Sequence, residues 1–419
     1  MTRVSASLLG VAGLVTGLAG GLVGGNAHAE DRLASLAPSR AAAGSRRQHL
    51  VWSRVKEGAD GYAQVDSDGT RTELTLQPSA QHAAEAALAD SGALYGAAVV
   101  ISVEDGRVLA LAGHSSVKPN VGADELALTA WAPAASIFKL VTAAALVGEG
   151  VGPETKVCYH DGIHSVEPSN LVTYRRWDTM CQSLSYGLAK SQNAIVARLA
   201  HDHLDPLGLE RMARTLGFGA SLPFELPVRR SELAVPRGDA LGFARTAAGF
   251  WNTTMSPLHG AALAAIFARG GVAAPVRLVE RIVDADGDER HVNVPAERRV
   301  LPAAVARAVG AMMVGTTQFG TARLGFHDRR GKPLLPGVAV AGKTGTLNRR
   351  VSCPASEVGC GGESLTYSWF VGYAPADHPT HAFAVLLGNG PDWKKKAHQV
   401  TADMLRTLVT PHTKLVATR

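Results

Sequence analysis

Cysteine, aromatic residues and long apolar runs are all scarce in this sequence of 419 residues. Four cysteines are too few for a small disulfide-built scaffold, so a packed apolar core must supply most of the stability. Aromatic residues make up 5% of the chain and do not cluster with basic ones, which argues against a dedicated nucleic-acid-binding module. By contrast, 46% of the residues are apolar and 19% are charged, as in globular proteins. The net charge of +6 indicates at most a mild preference for anionic partners.

The first thirty residues carry an apolar run with the features of a targeting signal. Arg3 precedes a glycine-broken run from about Leu8 to Val23, and Ala27-His-Ala29 follows as a small-x-small site. This order predicts a secretory signal peptide over residues 1–29, cleaved after Ala29. An uncleaved membrane anchor is the alternative, but the run is shorter than the roughly 20 residues that a span requires. Residues 30–60, rich in alanine, serine and arginine, are predicted to form a basic linker.

Export would place the four cysteines in an oxidising compartment, where disulfides form. Cys158, Cys181, Cys353 and Cys360 allow three pairings. Loop-closure entropy favours the pairing of neighbours in sequence, Cys158–Cys181 and Cys353–Cys360. Metal ligation is the alternative, because two histidines and an aspartate follow Cys158 closely. A second ligand pair with the spacing of a zinc site is missing from the sequence, so no metal is expected.

Apolar periodicity divides the rest of the chain into sheet-forming ends and a helical middle. Residues 61–92 are predicted to form a short N-terminal hairpin and a helix. Five strands are predicted, at residues 97–103, 108–112, 338–346, 367–373 and 381–387. Residues 130–267 have helical spacing, and a last helix is predicted over residues 395–408. The expected fold class is α+β, an antiparallel β-sheet covered by helices with an all-α subdomain, and residues 93–410 form one large domain.

The pattern Ser-x-x-Lys occurs three times, starting at Ser53, Ser115 and Ser136. A serine and a lysine three residues apart interact only if they lie on one face of a helix. The lysine of the second match precedes a proline, which disfavours a helix, and Ser53 lies in the predicted linker. Ser136 instead opens an apolar run that ends at Gly148, so it would lie in the first turn of a helix, near favourable backbone amides. We therefore select Ser136 and Lys139 as a candidate catalytic pair.

A serine hydroxyl becomes a good nucleophile only when a neighbouring base takes its proton. A lysine amine can be that base when burial and a second cation depress its pKa toward neutrality. Lys343 is the candidate for the second cation, because Lys343-Thr-Gly-Thr346 follows a strand-like run, and Gly345 would let a ligand approach closely. Ser191-Gln-Asn193 adds a hydroxyl that can relay a proton and an amide that can bind an acyl substrate. This third motif lies on a stretch predicted to be helical or at a helix edge, residues 183–199.

In this order, the three motifs resemble the active-site motifs of penicillin-binding proteins and serine β-lactamases. Residues 97–112, Met255-Ser-Pro-Leu258, Gly320-Thr-Ala-Arg323 and Ser368–Pro375 are similar to the penicillin-binding transpeptidase domain, and the resemblance covers about residues 74–408. It implies an exported D,D-transpeptidase that acts on D-Ala-D-Ala peptidoglycan stem peptides through an acyl-enzyme and is also acylated by β-lactams.

The same resemblance implies the partners and the location of the protein. Stem peptides and β-lactam antibiotics would be bound, other cell-wall enzymes are compatible partners, and no nucleic acid, metal or cofactor is required. The protein would lie in the periplasm or at the outer face of the cytoplasmic membrane.

The resemblance also implies a role for each motif residue. Ser136 would attack the carbonyl carbon, Lys139 would take its proton, Ser191 would pass that proton to the leaving group, and Asn193 would hold the substrate amide. Lys343 would supply positive potential.

The remaining motif residues would bind the substrate from the strand. Thr344, Gly345 and Thr346 would bind its carboxylate side. The backbone N–H groups of Ser136 and Thr346 would form the oxyanion hole.

Three alternatives share these motifs in whole or in part. A D,D-carboxypeptidase has all of them and differs in its acceptor. A serine β-lactamase needs a dedicated deacylating base, and the candidate Glu167 precedes Ser191, whereas in the β-lactamase class with such a glutamate it follows. A non-catalytic β-lactam sensor is disfavoured because Ser136, Lys139 and Lys343 are all intact.

Overall fold

The structure is a computed structural model that describes residues 50–290, 292–350, 364–391 and 393–409. The predicted signal peptide, residues 30–49 of the predicted linker and the predicted Cys353–Cys360 disulfide lie outside the described residues. Within the described ranges, no helix combines the length and the apolar character that crossing a membrane requires.

The described residues form strands, α-helices and short 3-10 helices. The strands are β1 (Lys56–Gly58), β2 (Gly61–Val65), β3 (Arg71–Leu74), β4 (Tyr95–Ser102), β5 (Val108–Ser115), β6 (Ala132–Pro133), β7 (Lys156–Tyr159), β8 (Met180–Ser183), β9 (Thr254–Met255), β10 (Val272–Ala273), β11 (Val279–Val283), β12 (Glu289–Arg290), β13 (Arg298–Arg299), β14 (Ala341–Arg350), β15 (Ser364–Ala374) and β16 (His381–Asn389). The α-helices are α1 (Pro78–Ala89), α2 (Ala123–Leu128), α3 (Lys139–Gly148), α4 (Leu184–Ala189), α5 (Asn193–His203), α6 (Pro206–Thr215), α7 (Ala240–Ala247), α8 (Pro257–Ala268), α9 (Ala303–Gln318), α10 (Arg323–Phe326) and α11 (Ala397–Leu408). The 3-10 helices are Trp52–Arg54, Ala135–Phe138 and Pro168–Leu171.

The central sheet has five strands in the order β14-β15-β16-β4-β5, and every neighbouring pair is antiparallel. All eight residues of β4 are buried, which is why this strand is a nearly continuous apolar run in the sequence. Successive side chains of a strand point to opposite faces. Val99 and Trp369 accordingly belong to one apolar core, and Val100 and Phe370 to a second.

Helices cover both faces of this sheet. The helices α1 and α11 contact each other and the face that carries Val100, whereas α8 packs against β4, β15 and β16 on the other face. The helices α3 to α7, which follow β5 and precede α8 in the chain, supply the helical subdomain. The predicted fold class, an antiparallel sheet covered by helices with a mostly helical insert, is confirmed.

A second five-stranded sheet, in the order β1-β2-β3-β11-β12, differs from the predicted organisation. Strand β1 starts at Lys56, inside the predicted linker, and its residues are all exposed, so no apolar periodicity marks it. Strand β3 pairs with β11, with Leu74 opposite Val279, and α1 packs on β5 of the central sheet. The hairpin and helix predicted within residues 61–92 are present as β2, β3 and α1. The pairing of β3 with β11 was not predicted, because strand pairing between distant segments leaves no local signal.

The predicted disulfide between Cys158 and Cys181 is present and joins β7 to β8, where the two residues are directly opposite. Cys158 is therefore bonded to Cys181 and is not a free thiolate, as the alternative of metal ligation would require. His160, the nearest of the candidate metal ligands, instead contacts the Asp178 carboxylate at 2.6 Å. In the part of the chain that the structure describes, no three His, Cys, Asp or Glu side chains converge as metal ligands.

Candidate active site

Ser136 lies in the 3-10 helix that leads directly into α3. The preceding residue, Ala135, has a left-handed backbone with φ 49°. This turn is held from two sides. The Trp369 indole donates a hydrogen bond of 2.9 Å to the Pro133 carbonyl, and Gly249 lies so close that a Cβ there would be 2.3 Å from the Ala135 carbonyl oxygen. The serine is therefore presented by a rigid turn.

Lys139 is the first residue of α3 and is completely buried. Its Nζ lies 2.8 Å from Ser136 Oγ, and it donates to Asn193 Oδ1 at 2.6 Å and to the Ala248 carbonyl. Burial, reinforced by the charge of Lys343, holds the pKa of Lys139 well below its ordinary value. A neutral amine has two N–H donors and one lone pair. Because both acceptor-only partners take an N–H, the lone pair is left for the Ser136 hydroxyl.

Ser191 and Asn193 lie at a break between two helices. The sequence predicts a helical or helix-edge stretch over residues 183–199, and the motif lies at the helix edge, because α4 ends at Ala189 and Ser191 has a left-handed φ of 55°. The break brings Ser191 Oγ within 2.9 Å of Lys343 Nζ. Asn193 starts α5, and its Nδ2 donates to the Ile163 carbonyl at 2.7 Å, which fixes the direction of the Oδ1 that contacts Lys139.

Lys343 lies on β14, the edge strand of the central sheet, and is completely buried. Its Nζ donates to the Thr344 carbonyl at 2.9 Å in addition to its contact with Ser191. Burial lowers the pKa of Lys343 to about 7. Two lysines with depressed pKa values, each touching a different serine hydroxyl, are typical of a site that moves protons.

The residues after Lys343 bring β14 against the serine turn. A Cβ at Gly345 would lie 3.3 Å from the Ala135 Cβ, so only a residue without a side chain permits this approach without displacing a neighbour. Thr344 Oγ1 contacts Thr321 Oγ1 at 2.5 Å, and Thr346 is opposite Ser368 of β15. The edge of β14 that no other described strand pairs with thus runs directly beside Ser136.

A cleft of about 580 Å³ opens at this junction. Five residues selected from the sequence line it: Ser136, Ser191, Asn193, Thr344 and Thr346. Lys139 and Lys343 lie buried beneath them, and Gly345 lies where β14 packs against the serine turn. The Cys158–Cys181 disulfide is not part of the lining.

Sequence reasoning missed several residues of the cleft. Ala248 and Gly249, which touch Lys139 and the serine turn, come from the end of α7, and Thr321 and Ile163 come from loops. Gly320-Thr321 contributed to the resemblance, but nothing in its composition predicted the contact with Thr344. The positive φ of Gly249 leaves no trace in a sequence except the glycine itself.

The sequence matches the family described as "Penicillin binding protein transpeptidase domain" over residues 96–409. It is 26% identical to the peptidoglycan D,D-transpeptidase PbpA of Mycobacterium tuberculosis over 80% of this chain and 70% of that protein. The PbpA of Mycolicibacterium smegmatis is equally similar, with 26% identity over 80% of this chain and 70% of the relative.

Solved structures have the same fold. Penicillin-binding protein A of Mycobacterium tuberculosis, as an imipenem acyl-enzyme complex, superimposes with a TM-score of 0.66 at 24% identity, covering 81% of this chain and 80% of that one. A D,D-transpeptidase domain from Eggerthella lenta gives a TM-score of 0.64 at 21% identity, covering 84% and 94%. With the family match extending over most of the sequence, the chain belongs to the penicillin-binding protein transpeptidase family, whose catalytic domain is a serine acyltransferase.

Proposed function

We propose that the protein cross-links peptidoglycan by D,D-transpeptidation, with Ser136 as the nucleophile and Lys139 as its base. The observation that carries this proposal is the set of contacts around Lys139 Nζ. Lys139 Nζ contacts Asn193 Oδ1, the Ala248 carbonyl and Ser136 Oγ, the last at 2.8 Å. When the amine is neutral, its two N–H donors go to the two oxygens that can only accept, so its lone pair faces the Ser136 hydroxyl.

Acylation proceeds by attack of Ser136 Oγ on the carbonyl carbon of the D-Ala-D-Ala peptide bond. The Oγ–C bond forms, the C–N bond to the terminal D-Ala breaks, and Lys139 takes the hydroxyl proton. Ser191 passes a proton to the departing amine, and its contact with Lys343 supports this role. A β-lactam amide reacts with Ser136 in the same way, but its ring opens without releasing the amine.

The edge of β14 is suited to bind the substrate. The Thr344 carbonyl accepts from Lys343 Nζ. Because backbone groups two residues apart on a strand face the same edge, the Thr346 amide would also face the cleft. Together with the Ser136 amide, it would bind the developing oxyanion, and each such donor is typically worth about 2.7–4 kcal/mol. The Thr344 and Thr346 hydroxyls would bind the substrate carboxylate, with Lys343 supplying positive potential.

The acyl-enzyme is resolved by the amine of an acceptor stem peptide, which forms a new C–N bond while the Oγ–C bond breaks. A β-lactamase would need a carboxylate to activate water, and the described lining of the cleft contains no Asp or Glu. Glu167, the candidate for that base, contacts Arg245 at 3.3 Å at the surface instead. This supports slow hydrolysis of the β-lactam acyl-enzyme, and it leaves the D,D-carboxypeptidase as the second candidate.

This substrate requires a location outside the cytoplasm. Export by a signal peptide cleaved after Ala29 would supply it, and sequencing the N-terminus of the secreted protein tests that part of the proposal. Other cell-wall enzymes would then be accessible partners.

The decisive experiment analyses products by mass spectrometry after incubation with a D-Ala-D-Ala muropeptide, with and without an acceptor amine. We expect cross-linked product with the acceptor, and release of D-Ala without cross-linking would contradict transpeptidation. Labelling with a fluorescent penicillin tests the nucleophile. Label should be lost in Ser136→Ala and retained in the control Ser53→Ala, which alters an exposed Ser-x-x-Lys match that does not line the cleft.

A further inference from the structure

One loop beside the cleft exposes an unusual concentration of large apolar side chains. They are Ile163, Val172, Tyr174, Trp177 and Met180. Trp177 is 55% exposed and Tyr174 is 42% exposed, and their ring centroids lie 5.1 Å apart with an interplanar angle of 32°. We call these two rings the aromatic platform. Exposed apolar groups gathered in one place mark a binding surface more often than scattered ones do.

The aromatic platform is held by a rigid framework. The Cys158–Cys181 disulfide closes the base of the loop. Inside it, the buried Asp178 carboxylate accepts from Arg198 Nη1 at 2.8 Å and from the Tyr174 backbone N–H at 2.9 Å, and it contacts His160 Nδ1 at 2.6 Å. The rings are therefore fixed before a ligand arrives, which reduces the entropy lost on binding.

A groove of about 630 Å³ lies against Trp177. Its lining includes the Asp161 carboxylate, the Arg176 guanidinium and the hydroxyls of Ser169 and Thr179. None of these four side chains is engaged by another residue that the structure describes, so their donors and acceptors are available to a ligand. The groove thus combines an aromatic face with hydrogen-bonding groups of both kinds.

This combination matches a pyranose ring. One face of such a sugar presents C–H groups that stack on the electron-rich face of an indole. Its rim presents hydroxyls that both donate and accept, and these can pair with a carboxylate and a guanidinium. A purely apolar ligand would leave these polar groups of the groove unpaired, at a cost in binding.

The groove also adjoins the cleft along the chain. His160 and Asp161 line the groove, Ile163 and His164 line the cleft, and the Ile163 carbonyl receives the Asn193 amide. We propose that the groove at Trp177 is a saccharide subsite that binds the glycan strand of peptidoglycan while a stem peptide on that strand reaches Ser136. The proposal rests on the proposed function, since it assigns a further part of the same substrate.

The first test measures binding of peptide-free peptidoglycan glycan strands to the full chain by titration calorimetry. We expect wild type and Trp177→Phe to bind, and Trp177→Ala to bind about tenfold more weakly because one stacked ring is lost. The control Leu207→Ala, which removes a similarly exposed apolar side chain from α6, should bind as wild type does. Wild type that binds no glycan, or Trp177→Ala that binds it unchanged, would overturn the proposal.

The second test separates the subsite from the catalytic site. Trp177→Ala should raise KM about tenfold for a disaccharide-linked stem peptide, with little change in kcat, and should leave KM for the sugar-free peptide unchanged. Its rate of acylation by penicillin should equal that of wild type. An equal rise in KM for both peptides would contradict the subsite and assign Trp177 a structural role. A loop that docks a partner protein would leave both KM values unchanged, which also overturns the proposal.

The proposed function fails in a different way. If wild type is not acylated by penicillin and does not turn over the sugar-free peptide, the transpeptidase assignment is wrong, whatever the result of the glycan titration.

Discussion

Lys139 and Lys343 are both completely buried, and each contacts a different serine of the same cleft, Ser136 and Ser191. The charge of Lys343 is also one of the causes of the low pKa of Lys139. The protonation states of the two amines are thus coupled, and the effect of Lys343 on the pKa of Lys139 can be measured.

Removal of Lys343 should change the pH dependence of acylation. In the proposed mechanism Lys139 is the base and must be neutral to act, so the acylation rate should fall at acidic pH as Lys139 gains a proton. In Lys343→Met the neighbouring cation is gone, so the pKa of Lys139 rises. The acidic limb of the pH–rate profile, the range in which the acylation rate falls as pH decreases, therefore moves to higher pH. Stopped-flow measurement of the acylation rate with a chromogenic cephalosporin, from pH 5 to about 10, would locate this acidic limb.

The matched control is Lys190→Met, which removes a lysine from the lining of the cleft. Lys190 contacts the Phe319 carbonyl and is not among the causes of the low pKa of Lys139. Lys190→Met should therefore leave the acidic limb of the pH–rate profile at the same pH as in wild type. If the acidic limb shifts equally in both variants, the pKa of Lys139 depends on the total positive charge of the cleft and not on Lys343 specifically.

Lys343 should also make the stability of the protein depend on pH. Its pKa is about 7 in the folded protein and 10.5 ordinarily, so between these values the unfolded chain binds a proton that the folded one does not. Stability then rises with pH across this window, by up to about 1.4 kcal/mol per pH unit for one such group. Lys343→Met removes this contribution, so urea unfolding at pH 7, 8 and 9 should show a smaller slope. An unchanged slope would mean that Lys343 is charged in the folded protein.

Gly249 should be essential for the serine turn. In Gly249→Ala the new Cβ would lie 2.3 Å from the Ala135 carbonyl oxygen and 3.0 Å from the Ser136 Cα. Its left-handed backbone, φ +79°, adds about 1–2 kcal/mol of strain for a non-glycine residue. Gly238→Ala is the control, because φ is +77° there and no atom lies within 4 Å of the added Cβ. Both variants should lose stability, but only Gly249→Ala should lose most of its penicillin acylation.

Asp178 should be the most sensitive residue of the loop that carries the aromatic platform. Asp178→Ala leaves the buried Arg198 guanidinium without its carboxylate, and breaking a buried ion pair in this way typically costs about 3–5 kcal/mol. Asp202→Ala removes an exposed contact with His201 and should cost less than about 1 kcal/mol. Urea unfolding of both variants measures the difference. Similar small losses would show that the Asp178–Arg198 pair does not stabilise the fold.

The sequence predicted the parts of this molecule that depend on local patterns. The strands around Val99 and Phe383, the closing helix and the Cys158–Cys181 bond all follow from periodicity or from short loops. The three motifs identify five residues that line the cleft and the two lysines beneath it. The local sequence context distinguishes Ser136 from the other two Ser-x-x-Lys matches.

The parts that escaped prediction depend on contacts between distant segments. Pairing of β3 with β11 brings together residues that no local pattern relates. The Ala248 carbonyl is a backbone group, so its role at Lys139 has no side chain to mark it. The left-handed backbone of Ser191, which lies between α4 and α5 and places its hydroxyl at Lys343, leaves no specific signal in the sequence.

Because β14 lies at the edge of the central sheet, an edge that is open to substrate is also open to association with other molecules. An unpaired edge strand is a template for any extended chain, and proteins normally protect such edges by covering them or ending them early. Among the described residues, the long strand β14 has a neighbouring strand on one side only, and the proposed function requires its other edge to stay open so that substrate can reach Thr344 and Thr346. The same hydrogen-bonding groups that would receive a stem peptide can therefore receive a neighbouring molecule's strand. A ligand that fills the cleft should act as a solubility factor, in addition to its effect on activity.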